Sequence, residues 1–392
     1  GFKRSAERMV KIEERLRRGM RSQGFSQEAE DQVVLHITSF ALYGFPESHS
    51  ASFALITYAS AYLKQHHPAA FLVGLLRAQP MGFYSAATLV KDAQRHGVEV
   101  RPVDVLFSSE QADLEAGSPT PNQKSGPPTV RIGLDSVGGL NQRTAERLVS
   151  ERKRSGFEDL GDFVRRVGLH RDELDSLAEL GALSRLRDAP GSRRDALWQV
   201  AALERDPRSL FAGREIARPS QPSKRSPKKS DKTEANEHNL LENTDSRPAP
   251  LTPMSEIEQT LADYRLSGIT TGVHVMAHLR SALDRRGILP AIQLREMPDG
   301  TYVRTAGHAI VRQRPGSAKG FCFLTLEDET GLSNTVLTPD LAARFRVPLH
   351  QASILEVAGP LQRVDGVIHV RAQEVIPLGL GTAKMPSSHD YR

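Results

Sequence analysis

Apolar residues recur at helical spacing as far as Trp198 and at every second position beyond Thr305. Over residues 3–21, Met9, Ile12, Leu16 and Met20 share one face among many charges, the pattern of an amphipathic helix with a basic outer face. Gly24 permits a break, and Ser26 starts a second helix with Glu28 in its first turn and Val33, Val34, Ile37 and Phe40 along it. After Tyr43-Gly44-Phe45-Pro46, Ser48 is placed to cap a long helix in which Phe53, Ile56, Ser60 and Leu63 share a face. Pro68 limits that helix, because proline disfavours helical geometry in the residue before it. Helices from Ala69 to Arg77 and from Thr88 to His96 follow, the latter stopped by Gly97. Val98 to Val105 alternates like a strand, and residues 116–128 have the composition of a loop.

The run Val137-Gly-Gly-Leu-Asn-Gln-Arg-Thr-Ala-Glu-Arg-Leu-Val149 has the shape of a helix-hairpin-helix, with Ala145 and Leu148 facing inward. Backbone amides exposed in a glycine turn at the start of a helix hold a phosphate without reading sequence. Gly138, Gly139, Arg143 and Thr144 are therefore the first DNA-contact candidates, and Arg147, Arg152, Lys153 and Arg154 add salt-sensitive attraction. The competing reading is a hairpin that only packs. A second, degenerate hairpin occupies Phe157 to Leu186, with Leu160, Phe163, Val167, Leu174, Leu177 and Leu180 packing, Gly181-Ala182-Leu183 closing it, and Trp198 in the core of the last helix.

Residues 214–250 are rich in Pro, Ser, Lys, Asn and Glu and nearly free of large apolar groups, so burial cannot offset the entropy of ordering them. They read as a disordered linker, and Lys224 to Lys229 within it as solvated charge. A helix from Ser255 to Tyr264 re-enters folded structure. Strands follow at Ala309–Arg312, Phe321–Leu326, Leu332–Leu337, Ile354–Val364 and Val367–Arg371, with turns at Glu329-Thr-Gly331 and Asp365-Gly366 and a short helix after Pro339. Five strands with a helix between the third and fourth make an OB-fold barrel. On it, Arg312, Arg314 and Lys319 are candidates to track phosphates and Phe321 or Phe323 to stack a base; alternation puts both Phe on one face, where they serve equally well as core. The predicted fold class is thus multidomain α+β. It comprises a helical region over 1–115, a tandem helix-hairpin-helix over 129–212, a linker over 213–252, a connecting helical segment over 253–300 and the OB-fold over 301–380.

Composition narrows the function. The 392 residues suit two to four domains, and 52 Lys+Arg against 47 Asp+Glu, with clustered arginines, favour a polyanionic partner. The lone Cys322 excludes an internal disulfide framework and a Cys-based zinc site, and fits a reducing, cytoplasmic setting. No apolar stretch has the length of a bilayer span. The chain opens on Gly1-Phe2 within what reads as a basic helix, which points to a fragment of a longer protein.

The run from Tyr43 through Phe45-Pro-Glu-Ser-His49 to Phe71 closely resembles the fingers signature of bacterial C-family DNA polymerase III alpha subunits. Gln79-Pro-Met-Gly-Phe-Tyr84 and Lys91 to Asp104 resemble the error-prone DnaE-type subfamily, also called ImuC, and so do Arg193 to Trp198, Asp263 to Gly268 and Val311 to Gly331. The resemblance implies a fingers-like region over 1–115 in which His49, Lys64 and Arg77 handle the incoming nucleotide and template. It also implies damage-induced translesion synthesis, with primer-template and single-stranded DNA, the remaining polymerase domains, mutasome accessory proteins and the sliding clamp as partners. Family members carry a PHP domain and a palm whose Asp-x-Asp pair and further Asp bind two Mg²⁺ ions. No Asp-x-Asp occurs here, Glu327-Asp-Glu329, Asp172 and Asp175 read as turn and surface residues, and no catalytic residue is assigned. The Mg²⁺ is expected at a palm outside this chain, and the linker is longer and more polar than the family's. A free-standing single-strand-binding module from a truncated polymerase gene is the alternative, and a hairpin-based glycosylase a distant third. His66-His67 are adjacent and suit no shared metal, and Gln111-Ala-Asp-Leu114 only superficially matches a clamp-binding peptide.

Overall fold

Short polar side chains start the helices of this chain and left-handed glycines end several of them. Ser85 accepts a hydrogen bond from the Thr88 amide to open α5 (Ala86–Arg95), Asn141 from Arg143 to open α6 (Gln142–Arg154), Asp159 from Asp162 to open α7 (Leu160–Val167) and Ser255 from Glu258 to open α10 (Glu256–Ser267). Gly168 and Gly268 close α7 and α10. The computed structural model describes residues 6–43, 47–82, 84–117, 126–187, 191–203, 251–364, 366–379 and 389–391. The predicted linker largely coincides with residues 204–250, which lie outside the described residues, as does Asp365 of the predicted turn.

Two compact units divide between His67 and Pro68. The first holds α1 (Ala6–Ser22), α2 (Gln27–Tyr43) and α3 (Glu47–His66). Ion pairs of Arg17 with Asp31 at 2.5 Å and Arg21 with Glu30 at 3.1 Å tie α1 to α2. Ser48 is not the cap of α3, which already begins at Glu47, so Ser48 lies in its first turn.

The second unit opens on α4 (Pro68–Arg77), where proline tolerates the first helical position because that amide needs no partner. Ala69, Leu72, Val73 and Leu76 of α4 join one core with Val90, Leu134, Leu148, Phe163, Leu177 and Leu183. A small sheet lies beside it in the order β1 (Val100–Arg101), β3 (Gly126–Arg131), β2 (Asp113–Gly117). The strand predicted over Val98 to Val105 shrinks to two residues, because Pro102 cannot donate to a ladder and Val103 and Val105 turn into the core. The loop predicted over 116–128 gives up its ends to β2 and β3. Pro127 and Pro128 are tolerated there because β1 pairs only from Val130 onward and the β2 register shifts between Glu115 and Gly117. A single 3-10 turn (Leu134–Ser136) precedes α6, and α8 (Arg171–Glu179) and α9 (Arg193–Leu203) complete the core. Trp198 departs from expectation: α9 buries Ala196 and Val200, leaving the indole 43% exposed.

α11 (Val275–Arg285) leads to β4 (Tyr302–Gln313), β5 (Cys322–Glu327), β6 (Leu332–Leu337), α12 (Pro339–Arg344), α13 (Arg346–Gln351), β7 (Ile354–Val364), β8 (Val367–Arg371), β9 (Glu374–Leu378) and β10 (His389–Tyr391). The order β4-β5-β6-β8-β7 closes into a ring because β7 also pairs with β4. β6 and β8 run parallel, while the other pairs within the ring are antiparallel. β9 and β10 extend it at its edges. Cys322, Leu324, Leu326, Leu337, Leu355, Val357, Leu361 and Val370 fill the ring. Gly359 is required where β7 passes β8, since a Cβ there would lie 2.0 Å from the Arg371 carbonyl oxygen.

The ring is seated on helices by Ala87, Tyr264, Val275, Met276, Leu283, Ile288, Ala306 and Ile354. The polar side of α5 spans the same joint. Thr88 donates to Glu327 at 3.0 Å and Arg95 pairs with Glu327 at 2.9 Å, while Lys91 donates to the Gly272 carbonyl and Gln94 to that of Thr271.

Candidate nucleic-acid interface

The first hairpin turn combines two glycines with different duties. The Gly138 amide donates to the Leu266 carbonyl at 2.5 Å, and a Cβ on Gly138 would lie 2.6 Å from that oxygen. Gly138 therefore seats the turn against the end of α10, and its amide is not offered to a phosphate. Gly139 has φ of +85° and open space around it, so only its backbone conformation demands glycine.

Glu173, which sequence reasoning passed over, ties the turn before α6 to the turn before α8. It is 3% exposed and accepts from the Asn141 amide of the first turn and the His170 amide of the second, each at 2.9 Å. Burial pushes its carboxyl up, but those two amides and the Thr144 hydroxyl hold it below the usual carboxylate range. Thr144 is consequently buried in the packing of this turn. Arg152 is also withdrawn: it is half-buried, donates to the Val105 carbonyl at 2.8 Å, and burial lowers its pKa. Arg154 pairs with Glu151 at 3.5 Å. Arg143, Arg147 and Lys153 remain exposed on α6, the first two one turn apart on one side. Arg147 reaches the Gly168 carbonyl at 3.0 Å, which keeps its guanidinium between the hairpins.

On the ring, strand alternation decides the role of the two phenylalanines. Cys322 and Leu324 point inward, so Phe321 and Phe323 face out and are 37% and 38% exposed. Arg314 and Lys319 are exposed in the β4–β5 connection, with no ion-pair partner among the described residues. Arg312 is half-buried and donates to the Ala352 carbonyl at 2.7 Å, which fixes it to the end of α13.

The three residues of the expected fingers site divide between the units, His49 and Lys64 in the first and Arg77 in the second. His49 lies edge-on to Phe53 at 4.4 Å on exposed α3, and Lys64 is exposed farther along that helix. Arg77 belongs to the second unit, where it donates to the Ala112 carbonyl at 2.7 Å and pairs with Asp113 at 3.1 Å. It ties α4 to β2. Those same bonds place Gln111-Ala-Asp-Leu114 at the start of an ordinary strand.

Residues 97–196 match a family model described as a helix-hairpin-helix motif. An error-prone DNA polymerase of Azoarcus sp. (strain BH72) is 42% identical over 375 residues, which cover 94% of this chain and 32% of that relative. One from Anaeromyxobacter sp. (strain K) is 40% identical over 390 residues, covering 99% of this chain and 32% of the relative. Along nearly its whole length the chain is similar to a portion of error-prone DNA polymerases. It spans about a third of the length of the curated relatives it matches. Among solved structures, asparaginyl-tRNA synthetase from Pyrococcus horikoshii overlaps 22% of this chain and 21% of its own, at 22% identity and a TM-score of 0.19, which carries no argument.

DNA polymerases of this kind are expected to use two Mg²⁺ ions, and the acidic residues described here do not fit that pair. Glu327 is 2% exposed and neutralised by Arg95, and Asp328 accepts from the amides of Ala291, Thr330 and Gly331. Glu329 pairs with Arg280 at 2.5 Å. Glu327, Asp328 and Glu329 thus sit at the β5–β6 turn, as the sequence suggested, and the buried Glu327 and Asp328 hold that turn against its supports. Asp172 is exposed and Asp175 pairs with Arg171 at 3.2 Å, as the sequence suggested. Among the described residues no group of three or more His, Cys, Asp or Glu is arranged to hold a metal, and no helix is long and apolar enough to cross a membrane.

Proposed function

We propose that this chain is the carboxy-terminal, DNA-handling portion of an error-prone DNA polymerase, acting in translesion synthesis together with a palm on the rest of the polymerase. The similarity to error-prone DNA polymerases along nearly the whole chain carries this reading. In it, a tandem helix-hairpin-helix grips the backbone of the primer-template through the Gly139 turn, Arg143, Arg147 and Lys153, without sequence readout. The ring is an OB-fold, a reading supported by its strand order and by the helices between its third and fourth strands, and it takes single-stranded DNA. Arg314 and Lys319 follow the phosphates there, and Phe321 and Phe323 offer stacking faces. His49 and Lys64 meet the nucleotide and template in the fingers-like unit. Mg²⁺ is held by palm carboxylates elsewhere in the polymerase, and mutasome proteins and the sliding clamp are its proposed partners in a cytoplasmic setting.

The test is primer extension by the purified chain with Mg²⁺ and deoxynucleotides, beside binding to primer-template and single-stranded DNA at two salt concentrations. The expected result is salt-sensitive binding without extension, and extension once the remaining portion of the polymerase is supplied. Extension by the chain alone that survives repurification overturns the division of labour. Binding that no remaining portion converts into synthesis favours a free-standing single-strand-binding module.

A further inference from the structure

Pairing registers across the ring assemble a surface that no single strand reveals. Phe323 of β5 lies opposite Val336 of β6, and Val336 lies opposite Arg371 of β8. Their inward neighbours Leu324, Thr335 and Val370 are buried, so this row points out of the ring. One row farther along, Thr325, Asn334, His369 and Gln362 are in register, with Thr325 donating to Asn334 at 3.2 Å and His369 and Gln362 bonded at 3.0 Å. Neither row contains a carboxylate. Arg371 is exposed and has no ion-pair partner among the described residues, unlike Arg286 and Arg304, which are both bound to Glu356. Two strand spacings separate Phe323 from Arg371, about 10 Å. A long guanidinium side chain shortens that gap to the separation between a base and its own phosphate.

We propose that the outer face of β5, β6 and β8 seats one nucleotide of single-stranded DNA, its base on Phe323 and its phosphate on Arg371. The inference rests on the reading of the ring as the single-strand-binding module and adds to it Arg371, which lies outside the β4–β5 connection. A neutral, acid-free floor suits a polyanion, because nothing on it repels the backbone between the aromatic and the cation. The planar guanidinium matches phosphate geometry better than an ammonium does.

The experiment measures fluorescence anisotropy of a labelled oligothymidylate with the full chain over a salt series, for the parent, Arg371→Gln, Arg371→Lys and Phe323→Ala. Thermal melts of each variant check folding, and both side chains are surface residues whose replacement leaves the buried side of the ring intact. Arg371→Gln is expected to bind about tenfold more weakly and to flatten the slope of log affinity against log salt by about 0.7, the release of one phosphate contact. Arg371→Lys recovers the slope and only part of the affinity. Phe323→Ala is expected to weaken binding by roughly tenfold with the slope unchanged, since stacking carries no counterion release. Loss in Phe323→Ala with an unaltered slope in Arg371→Gln overturns the seat while the ring remains a DNA binder. No change in either variant, with the chain still binding oligothymidylate, overturns the reading of the ring itself.

Discussion

The hairpin region and the strand ring both carry residues where sequence reading places DNA contacts, yet the fold withdraws more of them in the hairpin region than on the ring. In the hairpins, Gly138, Thr144 and Arg152 are consumed by internal bonds to Leu266, Glu173 and Val105. On the ring, Arg314, Lys319, Phe321 and Phe323 stay outside, and only Arg312 is drawn in. A turn motif concentrates backbone groups that the protein itself also needs, so motif residues divide between building the turn and serving a ligand. A strand sorts its side chains by alternation, so the outward set is left available.

Gly138→Ala breaks the comparison most severely. Its Cβ meets a backbone oxygen at 2.6 Å that no rotamer can relieve, and the expected loss is about 3 kcal/mol or more in denaturant unfolding. A variant of parental stability that loses DNA binding would restore Gly138 as a phosphate contact. Glu173→Ala strands two half-buried amides, those of Asn141 and His170, and should cost roughly 2 kcal/mol by the same measurement. A near-neutral result would mean that the two turns are not joined through this carboxylate.

Lys91, at the joint between the two regions, gives a pH signature of similar size. Burial pushes its pKa from 10.5 down to about 8, against the pull of Glu327 and Asp263. Below pH 8 both folded and unfolded chains carry the proton and the burial penalty is fully present. Between about 8 and 10.5 only the unfolded chain holds it, so the Lys91 contribution to stability rises with pH through that window, on the order of 3 kcal/mol in total. Denaturant midpoints measured across the window for the parent and Lys91→Met should diverge most at the acid end; parallel curves would refute the shift. The smallest effect belongs to Arg143→Gln, which should weaken duplex binding several-fold and flatten its salt slope by about 0.9 with no change in thermal stability. An unchanged slope would remove Arg143 from the interface.

Much of the ring was legible because period-two alternation reports burial directly. The strands from Leu332, Ile354 and Val367 begin and end where the pattern places them. The partnering of strands was not legible, since register depends on residues far apart in sequence. Nothing near Arg371 announces that it lies two strands from Phe323. Helix spans were readable from capping and spacing, whereas the choice between core and surface failed at Trp198, where α9 buries small residues and leaves the largest outside. In the candidate site, Gly139 and Gly138 are indistinguishable in sequence because the distinction lies in what α10 brings against the turn. The Arg77 partners were hidden for a similar reason: Asp113 lies 36 positions farther along the chain, in β2.

The polar side of α5 gives the second unit a mechanical character. Thr88 and Arg95 are fastened to the β5–β6 turn, and Lys91 and Gln94 to the segment before α11, on a helix whose other face lies in the hairpin core. A strut pinned along its length cannot hinge at one end. Any displacement of the ring therefore reaches the hairpin core through four contacts spread along one helix, as a load is shared among rivets.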